Sequence, residues 1–479
     1  FLGNADAVEE RLNLLMALPV DEANDVGELV DHVLGSGADA KLLDGLCALL
    51  KSIQENAGVV KVREAILAEK EREFGAESKD VGLALYKLGR AYGDLGDNAK
   101  RLTVLERALP VYEREYGKDS TKMGDVLNSL GNAHGSLGDP AKQRDLQERA
   151  LAINERAYGR DHPEVALTLG NLGIAYGKLG DHEKERDVLE RALVINEREY
   201  GRDHPNVALT LTNLGNSYGS LGDHAKERDM LERGLTIFEH EHGKESTQVA
   251  VVLGNLGAAY YSLGDYAKAR DMLERALATK EREYGRDHPE VANALNNLGN
   301  AYGRLGDHAK ARDVLERALP IFERACGCDH ANVAITMNGL LIAYNSLGDW
   351  AKARDMLERE LAIKERAYGK DSTQVAATLT NLGLAHMQLG DSAKARDVLN
   401  ESLRADLAVQ NEDWTRSRKP PDVAVTLLYL GMVYVDVDNA VARANLEQAS
   451  SIFEGEYGPD HDKSRMCRSL LDALNPDTQ

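Results

Sequence analysis

Cysteine is nearly missing: Cys47, Cys326, Cys328 and Cys467 are the only four in 479 residues. That is no disulfide framework, and it points to a reducing intracellular compartment, the cytoplasm being the expected one. Proline (11), phenylalanine (5) and tryptophan (2) are scarce as well. No apolar run reaches the roughly 18 residues that a membrane helix needs, so no membrane insertion is expected. The stretches 12–20 and 59–60 are too short, and sit among too many charges, to form a secretory leader. Excess positive charge is missing too, because 58 Lys and Arg face 79 Asp and Glu for a net −21. Nucleic acids and anionic membranes require a positive footprint, so neither is expected as a partner. The chain begins at Phe1 rather than methionine, as a processed or excised chain would, and sequence outside these residues could carry a second activity.

What the chain has is a period. Leu-Gly-Asp starts at Leu95, Leu137, Leu179, Leu221, Leu263, Leu305, Leu347 and Leu389, eight copies separated by seven intervals of 42. A weaker copy at 60–75 precedes them. A last copy follows, in which Leu430-Gly431 repeats Leu382-Gly383 at an offset of 48. The six extra residues fall in 411–421. Self-similarity of this kind marks a solenoid, in which each unit contacts only its neighbours and no central core has to grow with length.

Each unit reads as two amphipathic helices. After Asp265, a good N-cap, the apolar residues Ala269, Met272, Leu273, Ala276, Leu277 and Tyr284 follow helical spacing. Arg270/Glu274 and Asp271/Arg275 are opposite charges four apart on the other face. Gly285 is a natural stop, and His288-Pro289 opens the next helix, with proline in the first turn. No stretch alternates with period two, so no strand is expected. The first helix carries interior glycine, as at Gly173 and Gly177, at a cost of about 1 kcal/mol each relative to alanine. Gly173 is expected to admit the partner helix closely, with Tyr176 packed over the gap.

Leu169-x-x-Leu172-Gly173-x-x-Tyr176, with Ala269 and Ala276 at the matching second-helix positions of a sister unit, resembles the tetratricopeptide signature. Leucine stands where that signature usually has tryptophan, and its terminal proline is absent. The long second helix ending in Tyr-Gly, then Arg-Asp-His-Pro-x-Val-Ala (200–208 and 284–292), is similar to the 42-residue subclass of kinesin light chains and nephrocystin-like proteins. The resemblance spans roughly 35–458. It implies an all-α, tetratricopeptide-type α-solenoid, a right-handed superhelix of about ten helix pairs. The expected division is an N-terminal helical cap at 1–34, a degenerate first repeat at 35–76 and eight 42-residue repeats at 77–418. A degenerate last repeat at 419–460 and a C-terminal capping helix at 461–479 follow. Residues 1–34 offer two short helical stretches and none of the sustained heptads that precede the repeats of kinesin light chains.

The resemblance also implies a peptide groove lined by the residues just before and just after each Leu-Gly. The first position reads Asn171, Asn213, Asn255, Asn297 and Asn381, interrupted by Ser129, Gly339 and Tyr429. The second reads Asn132, Asn216 and Asn300 where it is polar, and Ile174, Ala258, Ile342 and Leu384 where it is not. A carboxamide both donates and accepts, so a ladder of them can hold an extended backbone whatever its side chains. Glycines (Gly135, Gly177, Gly219, Gly303) would let that backbone approach, and the few charges expected there are mostly basic: Arg90, Lys178 and Arg304. The competing role for these asparagines is local support of the helix pair.

Other signals resolve into the repeat. Cys326-x-Cys328-x-His330 lacks the second ligand pair of a zinc site and stands where other units read Tyr-Gly-Arg-Asp-His. Gly117-Lys118 and Gly369-Lys370 have no Ser/Thr next and no strand before them, so they are not P-loops. Gly170-x-x-Gly173 lies on a helix. No nucleophile–base set is present, and neither catalysis, a cofactor nor a metal is expected. The insertion places Trp414 beside Arg416, Arg418 and Lys419, a possible second contact loop in an acidic chain. The expected function is a non-enzymatic scaffold that binds a protein or peptide. The alternatives are a structural subunit of a large assembly and a regulatory sensor module of a longer protein. No oligomeric state follows from the sequence.

Overall fold

The computed structural model describes residues 23–35, 40–409 and 421–474, which form 22 helices and no strand. The chain divides into two compact units, Phe1–Lys244 and Glu245–Gln479. In the first, Ala23–Gly35 precedes five helix pairs, Ala40–Ser52 with Asn56–Phe74 through Pro205–Ser220 with His224–His242. In the second, five more pairs, Thr247–Ser262 with Tyr266–Tyr284 through Pro421–Tyr434 with Asn439–Tyr457, are followed by Asp462–Ala473. These are the ten helix pairs of a tetratricopeptide-type solenoid. The residues of the insertion, Trp414, Arg416, Arg418 and Lys419 among them, lie outside the described residues, as do 1–22 of the expected N-terminal cap.

The turn inside each pair explains why Leu-Gly-Asp never drifts. In the pair Pro163–Lys178 and His182–Tyr200, Leu179 closes the first helix and Gly180 follows at φ 78°, a left-handed conformation costly for any side chain. Asp181 then accepts the backbone N–H of Lys184 at 3.3 Å and caps the second helix. The expected cap Asp265 does the same for Lys268 at 3.2 Å. Gly285 ends its helix at φ 79°, as its sequence position implies. The imidazole of His288 accepts the N–H of Glu290 at 3.1 Å, and its ring stacks on Tyr284, centroids 4.8 Å apart. Tyr284 is therefore a half-exposed stacking partner of the turn rather than a core residue. The charge pairs differ as well. Arg270 bonds the adjacent Asp271 at 2.6 Å, and Glu274 accepts the hydroxyl of Tyr302 in the next repeat.

Gly173 does admit the second helix. A methyl at Gly173 would lie 2.8 Å from Leu189 Cγ. The same leucine-into-glycine contact recurs at Gly89/Leu105, Gly215/Leu231, Gly257/Leu273, Gly299/Leu315 and Gly383/Leu399. Leu341 breaks the rule, and the pair Ala331–Leu347 with Trp350–Tyr368 packs less closely than its sisters. Tyr176 packs nearby as the sequence implied, 8% exposed, with its hydroxyl donating to Glu148 of the preceding repeat at 2.7 Å.

Two glycines three residues apart test this packing. Gly170 has nothing within 4 Å of a built Cβ. Gly170→Ala is therefore expected to stabilise by about 0.5–1 kcal/mol through helix propensity alone. Gly173→Ala gains the same propensity but overpacks against Leu189, at a cost of about 1–3 kcal/mol, so it is expected to lower stability. Thermal and denaturant melts of the two variants check the opposite signs.

Candidate functional site

Helical spacing sets which residues of each first helix face away from its partner. In Pro163–Lys178, Val165, Ala166, Leu169, Leu172, Gly173, Ala175 and Tyr176 are buried. Leu167, Asn171, Ile174 and Lys178, at steps of four, three and four, share the opposite face. Leu167 is 59% exposed. Counterparts a whole number of periods away are also exposed and apolar: Leu83 and Leu209 in the first unit, Val251 and Ile335 in the second. Asp125 and Asn293 take this position in other repeats. These leucines were missed by the groove positions drawn from the resemblance. They could have been found as apolar residues lying off the buried stripe.

The expected groove residues divide into two kinds. Asn132 is held within its own pair, its Oδ1 accepting from Gln147 Nε2 at 2.8 Å. Asn171 and Asn213 are half-buried, Asn297 and Asn381 are exposed, and none of the four makes a side-chain hydrogen bond among the described residues. Asn216 is exposed and Asn255 half-buried, each with a partner inside the fold. Asn300 is half-buried against a cavity in the second unit. Lys178 Nζ donates to the carbonyl of Gly135 at 2.8 Å, so its ammonium closes the end of the preceding first helix. Arg304 Nε bonds the hydroxyl of Tyr261 at 3.1 Å.

The second helices carry a different surface. Arg107–Glu71, Arg191–Glu155 and Arg233–Glu197 join consecutive second helices of the first unit at 2.5, 2.6 and 2.5 Å. Arg317–Glu281 and Arg359–Glu323 do so in the second. Partly exposed pairs of this kind are worth only about 0–1 kcal/mol each. Their consequence is that much of the charge on this side is already paired. The tyrosines between repeats remain donors at neutral pH: burial first, then the bond to Glu148, pushes the Tyr176 hydroxyl up to about 12. Burial and Glu190 do the same for Tyr218, also to about 12.

Cys326 and Cys328 are exposed, and His330 Nδ1 is occupied in accepting the N–H of Asn332 at 3.1 Å. No cluster of three or more potential metal ligands occurs among the described residues. No described helix is long and apolar enough to cross a membrane.

Comparison with known proteins agrees with this geometry. Tetratricopeptide repeat profiles match residues 81–121, 144–195, 186–240, 248–324, 305–366 and 332–408. These segments cover more than half of the chain, and the chain belongs to the tetratricopeptide repeat family. Similar solved structures include BtubC (BKLC) from P. vanneervenii, 24% identical over 49% of this chain and 91% of that one, TM-score 0.40. A putative kinesin light chain with nearly identical TPR-like repeats from Podosopora anserina is 20% identical over 43% and 97%, TM-score 0.38. A signal transduction ATPase with numerous domains and a tetratricopeptide repeat sensor, from Pyrococcus horikoshii, is 15% identical. It matches over 76% of this chain and 51% of that one at a TM-score of 0.55, a likeness of fold. A comparison with curated proteins returns no match.

The division among the asparagines is testable. Asn132→Ala removes a bond inside the fold and is expected to cost about 1 kcal/mol. Asn213→Ala removes none and is expected to leave the melting temperature within error. Parallel melts of the two variants measure the difference.

Proposed function

We propose that this chain is a non-enzymatic interaction scaffold that lays an extended peptide of a protein partner along the exposed face of its first helices. The observation that carries the reading is an exposed apolar residue at the same position of five repeats, Leu83, Leu167, Leu209, Val251 and Ile335. Leu83, Leu167 and Leu209 stand out of the first unit, the last two beside Asn171 and Asn213, whose side chains no internal bond uses. Isolated exposed leucines need no explanation, but the same position exposed and apolar in five repeats is a pattern. The asparagines supply backbone hydrogen bonds and the leucines supply apolar contact, the combination that suits an extended segment. The paired charges of the second helices leave that side less able to offer either. A net charge of −21 speaks against a nucleic-acid partner, and the free thiols Cys326 and Cys328, both exposed, suit a reducing compartment.

The test uses residues whose exposure protects the fold. Leu83, Leu167 and Leu209 are changed together to asparagine, and the partner recovered by affinity purification is titrated against both proteins. Exposed substitutions shift stability by about 0.5 kcal/mol or less each, so the melting temperature should hold. Binding is expected to weaken roughly tenfold or more, on the order of 1.4 kcal/mol. Unchanged binding with the fold intact would remove the first-helix face as the site.

A further inference from the structure

One place in the second unit departs from a rule that the other repeats keep. The rule joins a first-helix residue to the second-helix residue eight positions later, across the Leu-Gly-Asp turn. Where the first is glycine, the second is long and polar: Gly93 with Arg101, Gly135 with Gln143, Gly177 with Glu185, Gly219 with Glu227. Where the second is alanine, the first is large: Tyr261 with Ala269, Asn345 with Ala353, Met387 with Ala395. The volume is thus filled once, from one side or the other. Gly303 with Ala311 fills it from neither.

The sister repeats show what the slot is built to hold. The Glu185 carboxylate lies on bare Gly177, where a Cβ would meet Oε1 at 2.6 Å, and bonds His182 Nδ1 at 2.9 Å. The Glu227 carboxylate lies on Gly219 in the same way and bonds His224 Nδ1 at 2.9 Å. The third histidine of this frame, His308, has Ala311 where those two have glutamate. Its Nδ1 is buried and has no hydrogen-bond partner, and nothing comes within 4 Å of a Cβ built on Gly303. A cavity of about 430 Å³ opens there. Arg304 and His308 are its only ionisable basic residues, and no carboxylate lines it. Gly339, where five sister repeats carry asparagine, widens it, and the half-exposed Ile335 and Ile342 form an apolar rim.

We propose that this cavity takes a glutamate side chain of the bound peptide, its carboxylate placed on His308 Nδ1 beside Arg304, with flanking apolar side chains against Ile335 and Ile342. The proposal rests on the peptide-binding reading above and adds a chemical preference at one repeat. The ligand's carboxylate stands where Glu185 and Glu227 stand in their own repeats, but reaches the slot from outside the fold. A neutral amide of the same shape loses the charge-assisted bond and the attraction of Arg304.

The experiment titrates the full chain with acetyl-Ala-Leu-Glu-Leu-Ala-amide and with its glutamine counterpart, followed by ligand-observed NMR. Histidine-labelled protein reports the His308 ring, assigned through His308→Gln. The glutamate peptide is expected to bind roughly tenfold more tightly than the glutamine peptide and to move the His308 resonance. Ala311→Glu supplies the carboxylate internally, as Glu185 and Glu227 do, so it is expected to fold with an equal or higher melting temperature and to lose that discrimination. Sodium acetate is expected not to match the peptide. Equal binding of the two peptides, no binding of the glutamate peptide, retained discrimination in Ala311→Glu, or acetate binding as tightly as the peptide would each overturn the proposal. Loss of partner binding in the leucine variant together with equal peptide binding would retire the slot and leave the scaffold reading standing.

Discussion

The contact on which everything else depends is a leucine of the second helix seated on a glycine of the first, made in most of the pairs. It brings the two backbones together by removing a side chain, as at Leu189 on Gly173, where even a methyl would come within 2.8 Å. Each such glycine sacrifices about 1 kcal/mol of helix propensity. The return is burial of a whole leucine, worth about 1.5–3 kcal/mol, and a fixed rotation of the first helix about its axis. That rotation decides which residues face outward. With Leu172, Ala175 and Tyr176 turned inward, Leu167, Asn171 and Ile174 have to turn away. The candidate binding face is a consequence of the packing, repeated because the packing repeats.

The same geometry separates two kinds of surface. Arginines and glutamates of the second helices reach the next second helix and pair there, as Arg191 does with Glu155. The first helices keep apolar and carboxamide groups exposed. An acidic chain can therefore hold much of its charge on one side of each pair and present a nearly neutral row on the other. Specificity then has to come from repeats that depart from the common pattern. Leu341 in place of glycine, Gly339 in place of asparagine and Ala311 in place of glutamate fall within or beside one repeat junction, and the cavity is there.

Much of the fold was legible because local chemistry dictates it. Asp265 as a cap, Gly285 as a stop and His288-Pro289 as an opening are decided within a few residues, and so is the number of helix pairs. The charge pairs were not, since Arg270 takes the nearest carboxylate and Glu274 is claimed by Tyr302 of another repeat. Nor could residue type alone tell a bonded asparagine such as Asn132 from an unbonded one such as Asn213. The exposed leucines were overlooked because an apolar residue near an apolar stripe reads as core until the helix rotation is known. The slot at Ala311 was present in the sequence as a broken pairing of small with large. It becomes visible only once Gly177 and Glu185 are seen to touch. The insertion around Trp414 lies outside the described residues.

The central claim is that partners meet the first helices and not the second. A photo-crosslinking residue placed at Leu167 or Leu209 tests it against the same probe at Val194, an equally exposed apolar position (66%) on a second helix. The account predicts partner adducts from the first two positions and none from the third. Adducts from Val194 with none from Leu167 and Leu209 would contradict it.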